Sequence, residues 1–176
     1  LYRDPPRPES AEVIRQLVAM GITPYMLSGD MKKVADSVAA ELGIQPEHVY
    51  AEAFPERKVE VVKALQDQGK NVVFVGDGIN DSAALAHAAV SVSFAGATDM
   101  ARETAEVVLM EDNLTALITA IDAAQRAMRT VRENVGIVVA PNVVGMAAAP
   151  LVGISPAIAV VLNNGVMTHY DSHMPY

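Results

Sequence analysis

Cysteine is absent from the 176 residues, which excludes a disulfide framework and any thiolate metal site and fits a reducing compartment. Basic tracts are absent too. Lys and Arg number 13 against 21 Asp and Glu, for a net charge of −8 and a pI near 4.9. A phosphate backbone would repel such a chain, so nucleic acid is excluded as a partner, whereas acidic clefts favour a divalent cation. No secretory leader pattern opens the chain, which begins at Leu1 rather than Met, and a cut or processed start is the expectation. Charge is missing altogether from residues 135–162, a run of 28 positions.

Up to about residue 110 apolar strand patterns alternate with helical ones. Residues 9–20 place Val13, Ile14, Leu17 and Val18 on one helical face, with Pro8 before and Gly21 after. Strands are expected at 22–27 (with Pro24 as a mild objection), 48–52, 71–76, 89–94 and 106–110. Helices are expected at 31–42, 55–68, 81–88 and 98–105, closed at Gly43 and Gly69 where they meet those glycines. The run "NVVFVG" is continuously apolar, as in a strand buried on both faces of a parallel sheet. This alternation predicts an open α/β sheet.

A long helix over 113–133 carries Asp122, Arg126, Arg129, Arg132 and Glu133. The charge-free run follows, interrupted by Pro141, Pro150, Pro156, Gly136, Gly145 and Gly153. It exceeds the roughly 20 apolar residues that span a bilayer and divides into one span at about 135–152 and the start of a second. Arg126, Arg129 and Arg132 ahead of it place the preceding body on the cytoplasmic side. The end, 166–176, is expected to be disordered. His169 and His173 are spaced i, i+4 but lack a third ligand, so they are not read as a metal site.

Chemistry concentrates in "VVFVGDGINDSAAL", residues 72–85. Asp77 and Asp81 follow a buried strand, where open α/β sheets bind ligands. Gly76 and Gly78 let the backbone turn and approach a ligand. Two hard carboxylates there suit Mg²⁺, which keeps water and phosphate oxygens in its shell. Ser28-Gly29-Asp30 also joins a strand to a helix, and a hydroxyl with backbone amides can hold a phosphoryl oxygen. Lys58, near a helix start, can neutralise phosphate charge. Singly, each of these has a plainer reading as a cap or a surface residue.

Taken together, "DPPRPES" at 4–10, "MLSGD" at 26–30, "AFPERKVEVVKALQ" at 53–66, "VVFVGDGINDSAAL" at 72–85 and "TDMARETAEVVLMEDNL" at 98–114 resemble the phosphorylation domain of P-type ATPases. That domain is similar to the haloacid-dehalogenase superfamily fold, a Rossmann-like sheet. The run after Glu133 resembles the final membrane helices of the heavy-metal branch. The resemblance implies an incomplete haloacid-dehalogenase-type body at 1–133, a C-terminal apolar hairpin of membrane helices at 134–165, and the tail. It implies that Asp77 ligates Mg²⁺, that Asn80 and Asp81 order the loop, that Ser28 and Gly29 hold the phosphoryl group, and that Lys58 stabilises its charge. Asp4 and Arg7 belong at the hinge towards a nucleotide domain and, with Gly29 and Asp30, make up the ATP-side set. Membrane lipid, a transported metal ion, and the remainder of a pump or further copies of the chain are the implied partners. The ion stays open. Asn134, Asn142, Met146, Asn163 and Asn164 are the soft or polar groups available in the membrane run, and it lacks the copper and zinc patterns of the family.

The family nucleophile, the first Asp of an Asp-Lys-Thr-Gly-Thr string, does not occur here, and the first core strand that carries it is missing with it. Covalent phosphorylation on carboxylate needs that Asp, so the chain alone is expected to be inactive. Two readings follow: the C-terminal part of an ATP-driven heavy-metal transporter, or a non-catalytic scaffold that reuses the α/β body.

Overall fold

A computed structural model describes residues 5–152. Asp4, the second arm of the expected hairpin, the 166–176 tail, His169 and His173 lie outside the described residues. The chain divides into two compact units, Leu1–Ile121 and Asp122–Tyr176.

In the first unit α1 (Ser10–Ala19) leads to β1 (Met26–Leu27), α2 (Lys32–Leu42), β2 (Val49–Tyr50) and α3 (Pro55–Asp67). There follow β3 (Val73–Val75), α4 (Ser82–Leu85), β4 (Val90–Phe94), α5 (Asp99–Thr104) and β5 (Val107–Leu109), and then the start of α6 (Thr115–Val152). The expected alternation is present with shorter elements. The 22–27 strand contracts to its last two residues, beyond Pro24, which has no backbone donor for a ladder. Gly21, Gly43 and Gly69 follow their helices at φ +78°, +76° and +79°, the left-handed conformation that glycine adopts without a Cβ penalty. On α1 the expected face turns slightly: Val13 and Leu17 are buried and Val18 is exposed.

All strand pairs are parallel, but they form two sheets rather than one. One holds β1 and β2, paired Met26 to Val49. The other has the order β3-β4-β5, with Val75 opposite Val92 and Phe94 opposite Leu109. Within each sheet the carboxyl ends point one way: the loop that carries Ser28 follows β1, and those that carry Asp77 and Thr98 follow β3 and β4. Two apolar clusters hold the unit. One joins Val62 of α3 to Phe74, Ala84, Leu85 and Ala101, with Leu27 packed against it. The other joins Val92, Phe94 and Leu109 to Leu117 of α6.

Between β1 and β3 lies a cavity of about 540 Å³. Its walls are the facing strand edges (Tyr25 and Leu27 against Val73 to Val75) and the apolar sides of three helices, with Leu17 from α1, Val62 and Leu65 from α3 and Leu117 from α6; Asp81 also borders it.

In the second unit the described residues are helical throughout. α6 runs unbroken from Thr115 to Val152, 38 residues, through Gly136 and Pro141. The helix predicted to stop at 133 therefore continues into the apolar run, where Asn142 Nδ2 donates to the carbonyl of Val138 at 2.7 Å. Val135, Ile137, Val138, Val139, Val143 and Val144 are exposed. Among the described residues no helix is long and apolar enough to cross a membrane, and no hairpin turn is formed.

Leu85 is 1% exposed at the centre of the first cluster. Leu85→Ala is expected to lower unfolding stability by about 2–5 kcal/mol, the range for truncating a buried leucine. Met110→Ala, at an 82% exposed side chain, should change it by less than about 0.5 kcal/mol. Denaturant titration of the full chain, in mild detergent for all variants, compares the two.

Candidate functional site

Ser28 closes β1. Its backbone N–H donates to the carbonyl of Tyr50 at 2.9 Å, and its carbonyl accepts from Ala53 N at 2.8 Å. Glu52 N donates to the carbonyl of Asp30 at 2.9 Å. The loops after β1 and β2 are thus joined backbone to backbone. Glu52 accommodates this at φ +52°, a left-handed value uncommon for a residue with a side chain. Sequence reasoning missed Glu52, because no residue type there announces the turn. The Ser28 hydroxyl lies 2.9 Å from an Asp30 carboxylate oxygen and accepts from Asp30 N at 3.2 Å. Gly29 is exposed, with open space where a Cβ would stand.

β3 ends in Gly76-Asp77-Gly78. The Asp77 carbonyl accepts from Thr98 N at 3.1 Å, and Thr98 Oγ1 caps α5 by accepting from Ala101 N. This joins the loops after β3 and β4. The Asp77 side chain is exposed and its carboxylate has no partner among the described residues; the same holds for the Asn80 amide.

Lys58 and Asp81 form the most buried ion pair among the described residues. Lys58 stands in the first turn of α3 and reaches Asp81 Oδ1 with Nζ at 2.6 Å, with both side chains only 12–13% exposed. The other Asp81 oxygen accepts from Gly78 N at 3.3 Å. The sequence reading gave Gly76 and Gly78 the same task, and the structure separates them. A Cβ at Gly76 would sit 2.7 Å from Cβ of Asp81, whereas one at Gly78 would make an ordinary 3.5 Å contact. Gly76 is required because the Asp81 side chain folds over it. Gly78, at φ −107°, is not under that constraint.

Ser28, Gly29 and Asp30 thus follow β1, Lys58 lies in the helix after β2, and Asp77, Asn80 and Asp81 follow β3; the contacts among them are Ser28 with Asp30 and Lys58 with Asp81. Arg7 is engaged elsewhere, with Asp112 and Phe94. Among the described residues no group of three or more His, Asp or Glu could hold a metal. The available donor set for Mg²⁺ is the one unpaired carboxylate of Asp77, which fits an ion usually held by one or two carboxylates and completed by water and phosphate oxygens. Chemically these loops carry a hydroxyl at Ser28, an ammonium at Lys58 that Asp81 holds, and an exposed carboxylate at Asp77. None of the described groups here is an activated nucleophile of the kind covalent transfer uses.

A family model described as haloacid dehalogenase-like hydrolase matches residues 1–89. The chain is 39% identical over 184 residues to the probable copper-transporting ATPase SynA of Synechococcus elongatus, covering 96% of this chain and 23% of that protein. It is 43% identical over 164 residues to a manganese-exporting P-type ATPase of Mycobacterium leprae, covering 92% and 22%. Among solved structures it superposes on a zinc-transporting PIB-type ATPase in an E2.Pi state with a TM-score of 0.80 and 31% identity, over 94% of this chain and 27% of that one. The chain thus spans about a quarter of the length of these relatives.

The Lys58–Asp81 pair generates a test of the geometry. Removing one partner leaves a mostly buried charge alone, so Lys58→Ala should cost about 1–3 kcal/mol, below the full penalty for a dry pair because some solvent reaches it. Lys58→Met combined with Asp81→Asn should cost less than the sum of the single changes. Unfolding free energies from a double-mutant cycle decide this; strict additivity would mean that the two side chains do not interact.

Proposed function

We propose, from the premise that the chain belongs to the haloacid dehalogenase-like hydrolase family and that its homologues indicate a heavy-metal P-type ATPase catalytic region, that it is the phosphoryl-handling part of a cation pump that needs a further strand to act. The observation that carries this reading is the cavity between β1 and β3. Two parallel half-sheets with unpaired facing edges enclose an apolar space bordered at Asp81. An extended apolar segment would complete one continuous sheet there, and its carboxyl end would arrive among Ser28, Lys58 and Asp77. A nucleophilic Asp on that segment would supply what this sequence lacks.

Within the completed site Ser28 Oγ and the amides of Gly29 and Asp30 would hold phosphoryl oxygens. Lys58 would stabilise their charge while Asp81 fixes the ammonium, and Asn80 would order the loop. Asp77 would hold Mg²⁺, which when bound offsets phosphate charge. Asp4 would lie near the nucleotide. Copper, manganese and zinc are named for different relatives, so a transition-metal cation is the proposed cargo, with no single ion favoured. The scaffold alternative has no observation of its own in its favour.

The chain alone should show no ATP turnover above buffer. Co-expression with the portion of the Synechococcus relative that precedes the matched region should yield Mg²⁺-dependent phosphorylation, measured as hydroxylamine-labile ³²P, and Asp77→Ala in this chain should abolish it. Turnover by the chain alone would overturn the reading.

A lipid location is proposed for residues 134–165, with the α/β body on the cytoplasmic side. The support is the 28-residue uncharged run and the apolar side chains that α6 leaves exposed. The full chain should stay with membranes through carbonate extraction. Recovery as a detergent-free monomer by light scattering would remove this part of the proposal. A defined soluble oligomer that dissociates when 135–176 is deleted would replace it with the scaffold reading.

A further inference from the structure

Arg7 precedes α1, and α1 packs against α2, which in turn packs on β2; this segment belongs to the β1-β2 half of the first unit. Asp112 follows β5 and precedes α6, in the other half. Across 105 positions of sequence, Arg7 Nη1 donates to the carbonyl of Asp112 at 2.8 Å and Nη2 to its carboxylate at 3.0 Å. The same guanidinium lies 5.5 Å from the ring centroid of Phe94. Phe94 is buried, and with Leu117 it forms part of the cluster on which the first turns of α6 rest. Two residues further along each segment a parallel contact repeats the connection: Leu114 N donates to Glu9 Oε1 at 3.4 Å. The loop after β4 closes over the same point, since a Cβ at Gly96 would come within 3.2 Å of an Asp112 carboxylate oxygen.

We infer that Arg7 is a positioning residue that couples the segment ahead of α1 to the loop ahead of α6. The two half-sheets then move as one body although, among the described residues, no strand hydrogen-bonds them. An exposed ion pair contributes little by itself, and the Arg7 side chain is 38% and that of Asp112 60% exposed. The effect rests on geometry instead. One planar fork makes two directed bonds to a single residue while its face covers a buried ring, which a lysine cannot reproduce. Displacement of the incoming segment would therefore reach the first turn of α6 through Asp112 and Leu114, by a route independent of Lys58 and Asp81. This coupling does not depend on the phosphoryl chemistry proposed above.

Hydrogen exchange of the full chain, followed by mass spectrometry, tests the coupling. Arg7→Lys keeps the charge and loses the fork. It should speed exchange about threefold to tenfold in peptides covering both 10–13 and 114–121, as loss of a contact between coupled segments does, with peptides covering Val61 and Val62 unchanged. Asp112→Ala should do the same, and the double variant should exceed neither single one. Arg7→Ala serves as the stronger variant where it remains folded by circular dichroism. Faster exchange confined to 10–13, or effects of Arg7→Lys and Asp112→Ala that simply multiply, would overturn the inference.

Discussion

The candidate site depends on a single ion pair with little access to water. Lys58 and Asp81 meet at 2.6 Å with both side chains about seven-eighths buried. A bare carboxylate at that depth would be costly to desolvate, and so would a bare ammonium. Each is tolerable because the other is there, and because Asp81 also accepts from the backbone of Gly78. The requirement extends outwards from the pair. Asp81 reaches Lys58 by folding across Gly76, where no side chain fits. Lys58 reaches Asp81 because α3 begins at Pro55 and packs on α4. Asp77, one position after Gly76, is left turned outwards and unpaired, while its own carbonyl anchors Thr98. The same turn that buries one acid thus leaves the other available.

The gap between the half-sheets is the second constraint. Parallel strands normally bury both faces and both edges, yet β1 and β3 each present an edge to an apolar space. The helices that line this space, α1, α3 and α6, turn leucines and valines into it, so their amphipathic pattern suits a continuous sheet better than two separate ones. What keeps the halves in place is side-chain packing around Val62 and Leu27 and the polar contacts of Lys58, Arg7 and Glu9, not a strand ladder.

The alternation of strand and helix was legible because its signals are local: apolar runs, Pro55 at a helix start, Gly43 and Gly69 at helix ends. The positions of Ser28 after β1 and of Asp77 and Asp81 after β3 were legible from the apolar runs before them. Three things were not legible. The split into two sheets has no local signal, because each strand run reads the same whether its neighbour is present or not. The positive φ of Glu52 arises from backbone bonds between two loops, which leave no mark on residue type. The engagement of Arg7 with Asp112 joins positions 105 apart, and only the folded chain brings them together. The boundary at 133 was expected from the change in charge, but helix continuity follows backbone hydrogen bonding, and Glu133 to Val135 break none of it.

That continuity bears on the apolar run. From Asp122 to Glu133 α6 pairs four of its five charged residues along its own surface, Asp122 with Arg126 at 2.7 Å and Glu133 with Arg129 at 2.9 Å, both at the i, i+4 spacing that stabilises helices modestly. Beyond Glu133 α6 carries no charged residue, and valine and isoleucine occupy successive positions around the helix rather than one stripe. A helix with a single apolar stripe lies on a core, whereas one apolar all round needs an apolar environment on every side. The side chains of Val135, Ile137, Val138, Val139, Val143 and Val144 are all exposed. Arg132 is the last cation before this stretch, and Arg126 and Arg129 ahead of it are held by Asp122 and Glu133.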